Sequence, residues 1–92
     1  MIRSFRDGET KLLFETGESR RFSQIAKVAA RKLDQLARAV SLQDLRVPPA
    51  NRLEALKGDR RDQHSIRIND QYRVCFRWQQ DGAHDVEIVD YH

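Results

Sequence analysis

The hydrophobic pattern of this chain changes period once, at Pro48-Pro49, and that change decides the fold class. Before it, Phe22, Ile25, Ala29, Leu33, Leu36 and Val40 recur at spacings of three and four, with Ala26 and Ala37 widening the stripe. That spacing is the buried face of an amphipathic helix. Lys27, Arg31, Asp34 and Arg38 fall on the opposite side, and Ser23 is the expected N-cap. After the prolines the period drops to two. Tyr72, Val74, Phe76 and Trp78 alternate with Arg73, Cys75 and Arg77, which predicts a strand with one buried face. A helix stripe of this size needs an apolar partner, and the sheet supplies it.

The remaining elements follow from local signals. Ile2 to Phe5 reads as a short strand. Asp7 and Gly17 bracket a first helix as N-cap and C-cap, with Leu12, Leu13 and Phe14 as its apolar residues and Glu9 in the first turn. Leu42 and Leu45 predict a further helical turn, which the prolines end. Arg52 to Leu56 alternates as a strand, and Lys57 to Asp62 is a polar turn. His64 to Ile68 puts Ile66 and Ile68 on one face and Ser65 and Arg67 on the other. Gln80-Asp81-Gly82 signals a hairpin into a last strand carrying Val86 and Ile88. Connections this short make neighbouring strands antiparallel. The expected architecture is α+β: two N-terminal helices packed on a small, mainly antiparallel C-terminal sheet, in a single domain over residues 1–92.

Composition excludes whole classes. Apolar residues are 39% of the chain and charged residues 34%, too apolar for a disordered tail. No apolar run approaches the roughly 20 residues that span a bilayer. No secretory signal is visible after Met1, and one cysteine rules out an internal disulfide framework; the expected location is the cytosol, with no membrane partner. The 17 basic residues are 13 Arg and only 4 Lys. Arg presents a planar fork of donors that matches phosphate, which leans toward phosphate-bearing or acidic partners; an Arg-rich solvated surface is the plainer alternative.

With helices on the apolar face, the sheet displays Arg73, Arg77, Arg67 and Glu54 side by side on its other face. Lys57 and Arg60 lie in the first turn, and Tyr91 and His92 follow the last strand. No glycine-rich phosphate loop and no metal-ligand spacing are present, so no metal and no cofactor are expected. RNA cleavage needs neither. A ribose 2′-OH attacks the adjacent phosphate when a base takes its proton, cations stabilise the phosphorane, and an acid protonates the leaving 5′ oxygen. Arg73 and Lys57 supply cations, Glu54 a carboxylate, and His92 and Tyr91 proton carriers. The same residues also suit an ordinary solvated strand face laced with salt bridges.

Several segments together carry a family resemblance. Arg67-Ile68-Asn69-Asp70-Gln71 followed by Tyr72-Arg73-Val74-Cys75-Phe76-Arg77-Trp78 is similar to the C-terminal half of the RelE/ParE toxin superfamily. Met1-Ile2-Arg3-Ser4-Phe5, Leu56-Lys57-Gly58-Asp59-Arg60, Ser65-Ile66-Arg67-Ile68-Asn69 and Asp90-Tyr91-His92 resemble its HigB branch. The resemblance covers essentially the whole chain. It implies the toxin of a type II toxin–antitoxin module: a ribosome-dependent, metal-independent endoribonuclease cutting translated mRNA, by 2′-OH attack that leaves a 2′,3′-cyclic phosphate. It implies Lys57, Arg73, Asp90, Tyr91 and His92 as site residues; Arg60, Arg67 and Arg77 of the basic surface described above are the expected RNA-binding residues. Its partners would be the ribosome, mRNA and a helix-turn-helix, HigA-like antitoxin, with operator DNA reached only through the antitoxin complex. Some members carry histidine where this chain has Glu54, so the general base stays open between Glu54 and other groups. The alternatives are a ParE-like, non-nuclease inhibitor of DNA gyrase and a non-catalytic nucleic-acid-binding module.

Overall fold

In the computed structural model, which describes residues 1–90, the change of period at the prolines is the boundary between helices and sheet. Helix α1 spans Gly8–Thr16. The Asp7 carboxylate accepts the Thr10 N–H at 2.8 Å, and Gly17 closes the helix in the left-handed region at φ 77°, donating its N–H to the Leu13 carbonyl. Leu13 is buried, whereas Leu12 stays exposed. Thr10, also buried, uses its hydroxyl to accept the Ile88 N–H at 3.2 Å and so ties the helix to the last strand.

Helix α2 spans Ala26–Arg38, shorter at both ends than its stripe suggested. Ser23 does not cap it. Phe22 and Ile25 turn into the core from the preceding segment, so Ile25 holds the cap position and burial outweighs capping chemistry. At the other end Ala39 becomes extended and buried, which throws Val40 out to 88% exposure. Val40 is therefore not a core residue. The period of 3.6 loses its meaning once the helix ends, and the Asp44 carboxylate instead accepts the N–H groups of Val40 and Ser41. Two 3₁₀ turns, Leu42–Arg46 and Pro49–Asn51, carry the chain across to the sheet.

The sheet comprises β1 (Glu54–Ala55), β2 (His64–Arg67), β3 (Tyr72–Gln79) and β4 (Gly82–Asp90), in that spatial order and antiparallel throughout. Residues 2–5 add two parallel bridges to the outer edge of β4, Ile2 with Ala83 and Phe5 with Val86. One extra residue bulges β4 opposite the Cys75–Arg77 stretch, where Asp85 takes φ 52°. The bulge keeps Val86 and Ala83 inside while setting His84 opposite Arg77, a switch of face that simple alternation does not foresee. Leu33, Leu36 and Ala29 of α2 share one core with Ile66, Ile68, Val74, Phe76 and Ile88 of the sheet. Each such large side chain contributes about 1.5–3 kcal/mol by leaving water.

Candidate functional site

The face of the sheet turned away from the helices is ordered by register. Glu54, Ser65, Cys75 and Glu87 form one row across all four strands, and Arg67, Arg73 and Val89 form the next. The sequence suggests an open basic patch here. The structure instead shows a partly covered one: Ser65 and Cys75 are fully buried. The connection after the prolines borders this face. Its Arg52 carbonyl accepts from Arg73; in the next connection, between β1 and β2, Leu56 and Gln63 are buried and Arg60 reaches Glu87 on the far strand.

Arg73 is held by two acceptors along one edge of its guanidinium. Its Nε donates to Ser65 Oγ at 2.7 Å and its Nη2 to the Arg52 carbonyl at 2.6 Å, while Nη1 lies 3.6 Å from the Glu54 carboxylate. Only 12% of its side chain is exposed, against 52% for Glu54. Arg52 adopts the left-handed region at φ 45°, a conformation that costs an L-residue about 1–2 kcal/mol and that here accompanies delivery of its carbonyl to Arg73. The turn carrying Arg52 is nailed down by Asn51, which is fully buried. Its amide nitrogen donates to Gln35 at 3.1 Å and to the Leu45 carbonyl at 3.2 Å, and its oxygen accepts from Lys32. Burial pushes the Lys32 amine below its usual range, and the neighbouring Arg31 and Arg67 push it further the same way.

The three arginines expected along an RNA path each face a carboxylate. Arg60 pairs with Glu87 at 2.7 Å, Arg77 with Asp62 at 2.9 Å and Asp85 at 3.2 Å, and Arg67 with Asp70. Glu87 also lies 3.6 Å from Arg6. These acids sit far from their arginines in sequence or across a turn, so no local pattern reveals the pairing. Lys57 is exposed where β1 gives way to a 3₁₀ turn, Gly58–Arg60, made possible by Gly58 at φ 65°. Asp90 ends β4 opposite Tyr72 and accepts from Gln71 Nε2 at 3.1 Å. Val89, just before it, is the register partner of Arg73. Tyr91 and His92 lie outside the described residues.

The structure brings Arg73 and Glu54, both named from the sequence, within 3.6 Å, and sequence reasoning missed what holds Arg73. Ser65 was legible only as an outward-facing strand residue. Its role needs the β2–β3 register, which sets it beside Cys75, one pleat from Arg73. Asn51 was visible only as the end of the proline joint. Two other groups are quiet. Burial pushes the Cys75 thiol up to about 11, so it stays protonated and unreactive. His64 stacks on Phe76 with ring centroids 6.3 Å apart, and burial lowers its pKa. Among the described residues no three His, Cys, Asp or Glu side chains cluster as metal ligands, and no helix is long and apolar enough to cross a membrane.

Comparison with known proteins adds an independent line. A family model described as RelE-like toxin of type II toxin-antitoxin system HigB matches residues 3–92. Toxin HigB-1 of Vibrio cholerae is 39% identical over 80 residues, covering 85% of this chain and 84% of its own. A protein of Haemophilus influenzae described only as uncharacterized is 36% identical over 86 residues, covering 91% of this chain and 85% of its own.

Proposed function

Because this chain belongs to the RelE-like HigB toxins of type II toxin–antitoxin systems, we propose that it cleaves ribosome-bound mRNA on the outer face of its sheet. The observation that carries this reading is Arg73: a guanidinium fixed by Ser65 and the Arg52 carbonyl, beside the Glu54 carboxylate. A fixed cation beside a carboxylate is what phosphoryl chemistry on RNA needs, since charge builds on the non-bridging oxygens while a proton leaves the 2′-OH.

In this mechanism a base, Glu54 or His92, removes the 2′-OH proton. The 2′ oxygen attacks phosphorus, Arg73 and Lys57 stabilise the phosphorane, and the P–O5′ bond breaks. His92 protonates the leaving 5′ oxygen. The products are a 2′,3′-cyclic phosphate and a free 5′-OH. Asp90 and Tyr91 orient the imidazole and the substrate. Chain connectivity supports this assignment, because β4 carries the backbone to Val89, the register partner of Arg73, just before these residues. Arg60, Arg67 and Arg77 guide the RNA by exchanging their carboxylate partners for phosphates, which makes their contribution modest and salt-sensitive.

A type II system provides a cognate antitoxin. We take it to be a helix-turn-helix protein that neutralises the toxin and carries it to operator DNA. The test is a translation extract supplied with purified protein, with mRNA ends mapped in the presence and absence of ribosomes. Cuts within codons, only with ribosomes and ending in 2′,3′-cyclic phosphate, are the expected result. Intact mRNA together with loss of gyrase supercoiling would overturn the reading in favour of a gyrase poison.

A further inference from the structure

We infer that Ser65 is a positioning residue for Arg73, a role that rests on the reading of Arg73 as the phosphate-stabilising cation. A guanidinium has two useful edges. The Nε and Nη2 hydrogens point along one, and the Nη1 and Nη2 hydrogens along the other. Here the protein itself occupies the first edge, Nε on Ser65 Oγ at 2.7 Å and Nη2 on the Arg52 carbonyl at 2.6 Å. Two acceptors on one edge fix both the plane of the group and its rotation about the Nε bond. The second edge is thereby aimed to the side where Glu54 stands, 3.6 Å from Nη1.

Ser65 suits this task for reasons of register and size. Its partners across the sheet are Glu54 on β1 and Cys75 on β3, so its short side chain lies between the carboxylate and the strand that carries Arg73. It is fully buried, so water does not compete for its oxygen, and a hydrogen bond from a charged donor in such a place is short and strong. Alanine there leaves Nε without its serine acceptor and lets the fork swing. A displacement of about 1 Å in a group that stabilises a transition state can cost up to about 10²-fold in rate.

The experiment compares wild type, Ser65→Ala, Ser65→Thr and Arg73→Ala in steady-state cleavage of ribosome-bound mRNA. The Arg73 Nε–H resonance is followed by ¹⁵N NMR in the free proteins. Ser65→Ala should lower kcat about 10- to 100-fold with KM within about twofold. It should also broaden or shift the Nε–H signal. Ser65→Thr, which returns the hydroxyl, should restore both. A residue that merely packs the sheet would change melting temperature and leave the kcat of the folded protein and the Nε–H signal as in wild type; that outcome overturns the proposal. Wild-type kcat in Ser65→Ala beside an inactive Arg73→Ala sinks the role of Ser65 alone. Full activity in Arg73→Ala, or no cleavage by wild type, removes the reading of the site and this role with it.

Discussion

Arg73 illustrates how a strand presents a charge without leaving it loose, and its neighbours set the order of damage expected from substitution. Under the proposed mechanism Arg73→Ala removes charge stabilisation from the transition state and should cost about 10²–10³-fold in kcat, measured on ribosome-bound mRNA. Deleting His92 should lower cleavage by roughly 10²-fold, the contribution of one proton carrier, with melting temperature nearly unchanged. Glu54→Ala should be milder than either if another group serves as base; equal loss in all three would make Glu54 the base itself. His64 gives a separate, pH-dependent expectation. Its folded pKa lies below the ordinary 6.5 because burial disfavours the cation, so between the two values the unfolded chain binds the proton more readily. Stability is therefore complete above about pH 6.5 and declines as pH falls toward the folded pKa. His64→Gln should flatten melting temperature between pH 7 and pH 5. Asp44, held down by the Val40 and Ser41 N–H groups, contributes its loss only below its ordinary value of 3.8, so the two windows separate.

Between residue and fold stands the connection from α2 to β1, residues 39–53. It has no regular strand or long helix, yet it carries the carbonyl that holds Arg73 and the amide that locks the turn to α2. Asn51→Ala strips the Leu45 carbonyl and the Lys32 amine of a buried partner and should cost about 3 kcal/mol. In a domain of this size that lowers the melting temperature by more than about 10 °C, read by calorimetry. The sequence announced the helical turn at Leu42 and Leu45 and the proline joint of this connection, but not the contacts of Asn51 and Arg52. Periodic elements were far more legible: Leu33, Leu36, Val74 and Phe76 advertise their faces because each repeats a spacing, and Asp7 and Gly17 mark a helix by chemistry local to its ends. Non-local pairing was not. Arg60 with Glu87 and Arg77 with Asp62 join positions distant in sequence, so a face laced with salt bridges was one reading of the sequence but which acid meets which arginine was not legible. The switch of face at the Asp85 bulge was hidden for the same reason.

Across the whole molecule, charge is unevenly spread over a net of +3. With the sheet arginines paired, α2 exposes Lys27, Arg31 and Arg38 as a further basic surface, of which Arg38 is linked to Asp34 at 3.1 Å. Such a field speeds encounter with a polyanion more than it alters chemistry. Reversing Lys27 and Arg31 to Glu should lower kcat/KM about 10-fold at low salt, leave kcat within twofold, and flatten the dependence of kcat/KM on ionic strength. Equal loss in kcat would place α2 in the reaction itself. The two bridges from Ile2 and Phe5 to β4 bear on a different matter, the order in which the chain is made. Segments separated by about eighty positions meet there. The Ala83 N–H bonds the Met1 carbonyl, the Thr10 hydroxyl takes the Ile88 N–H, and any side chain at Gly82 would collide with the Met1 carbonyl. Residues 1–5 therefore have no seat on the sheet until the codons for β4 have been read. A nascent chain stopped short of them carries Arg73 on a β3 strand whose β4 partner is missing, so a message broken upstream of that point yields no finished sheet.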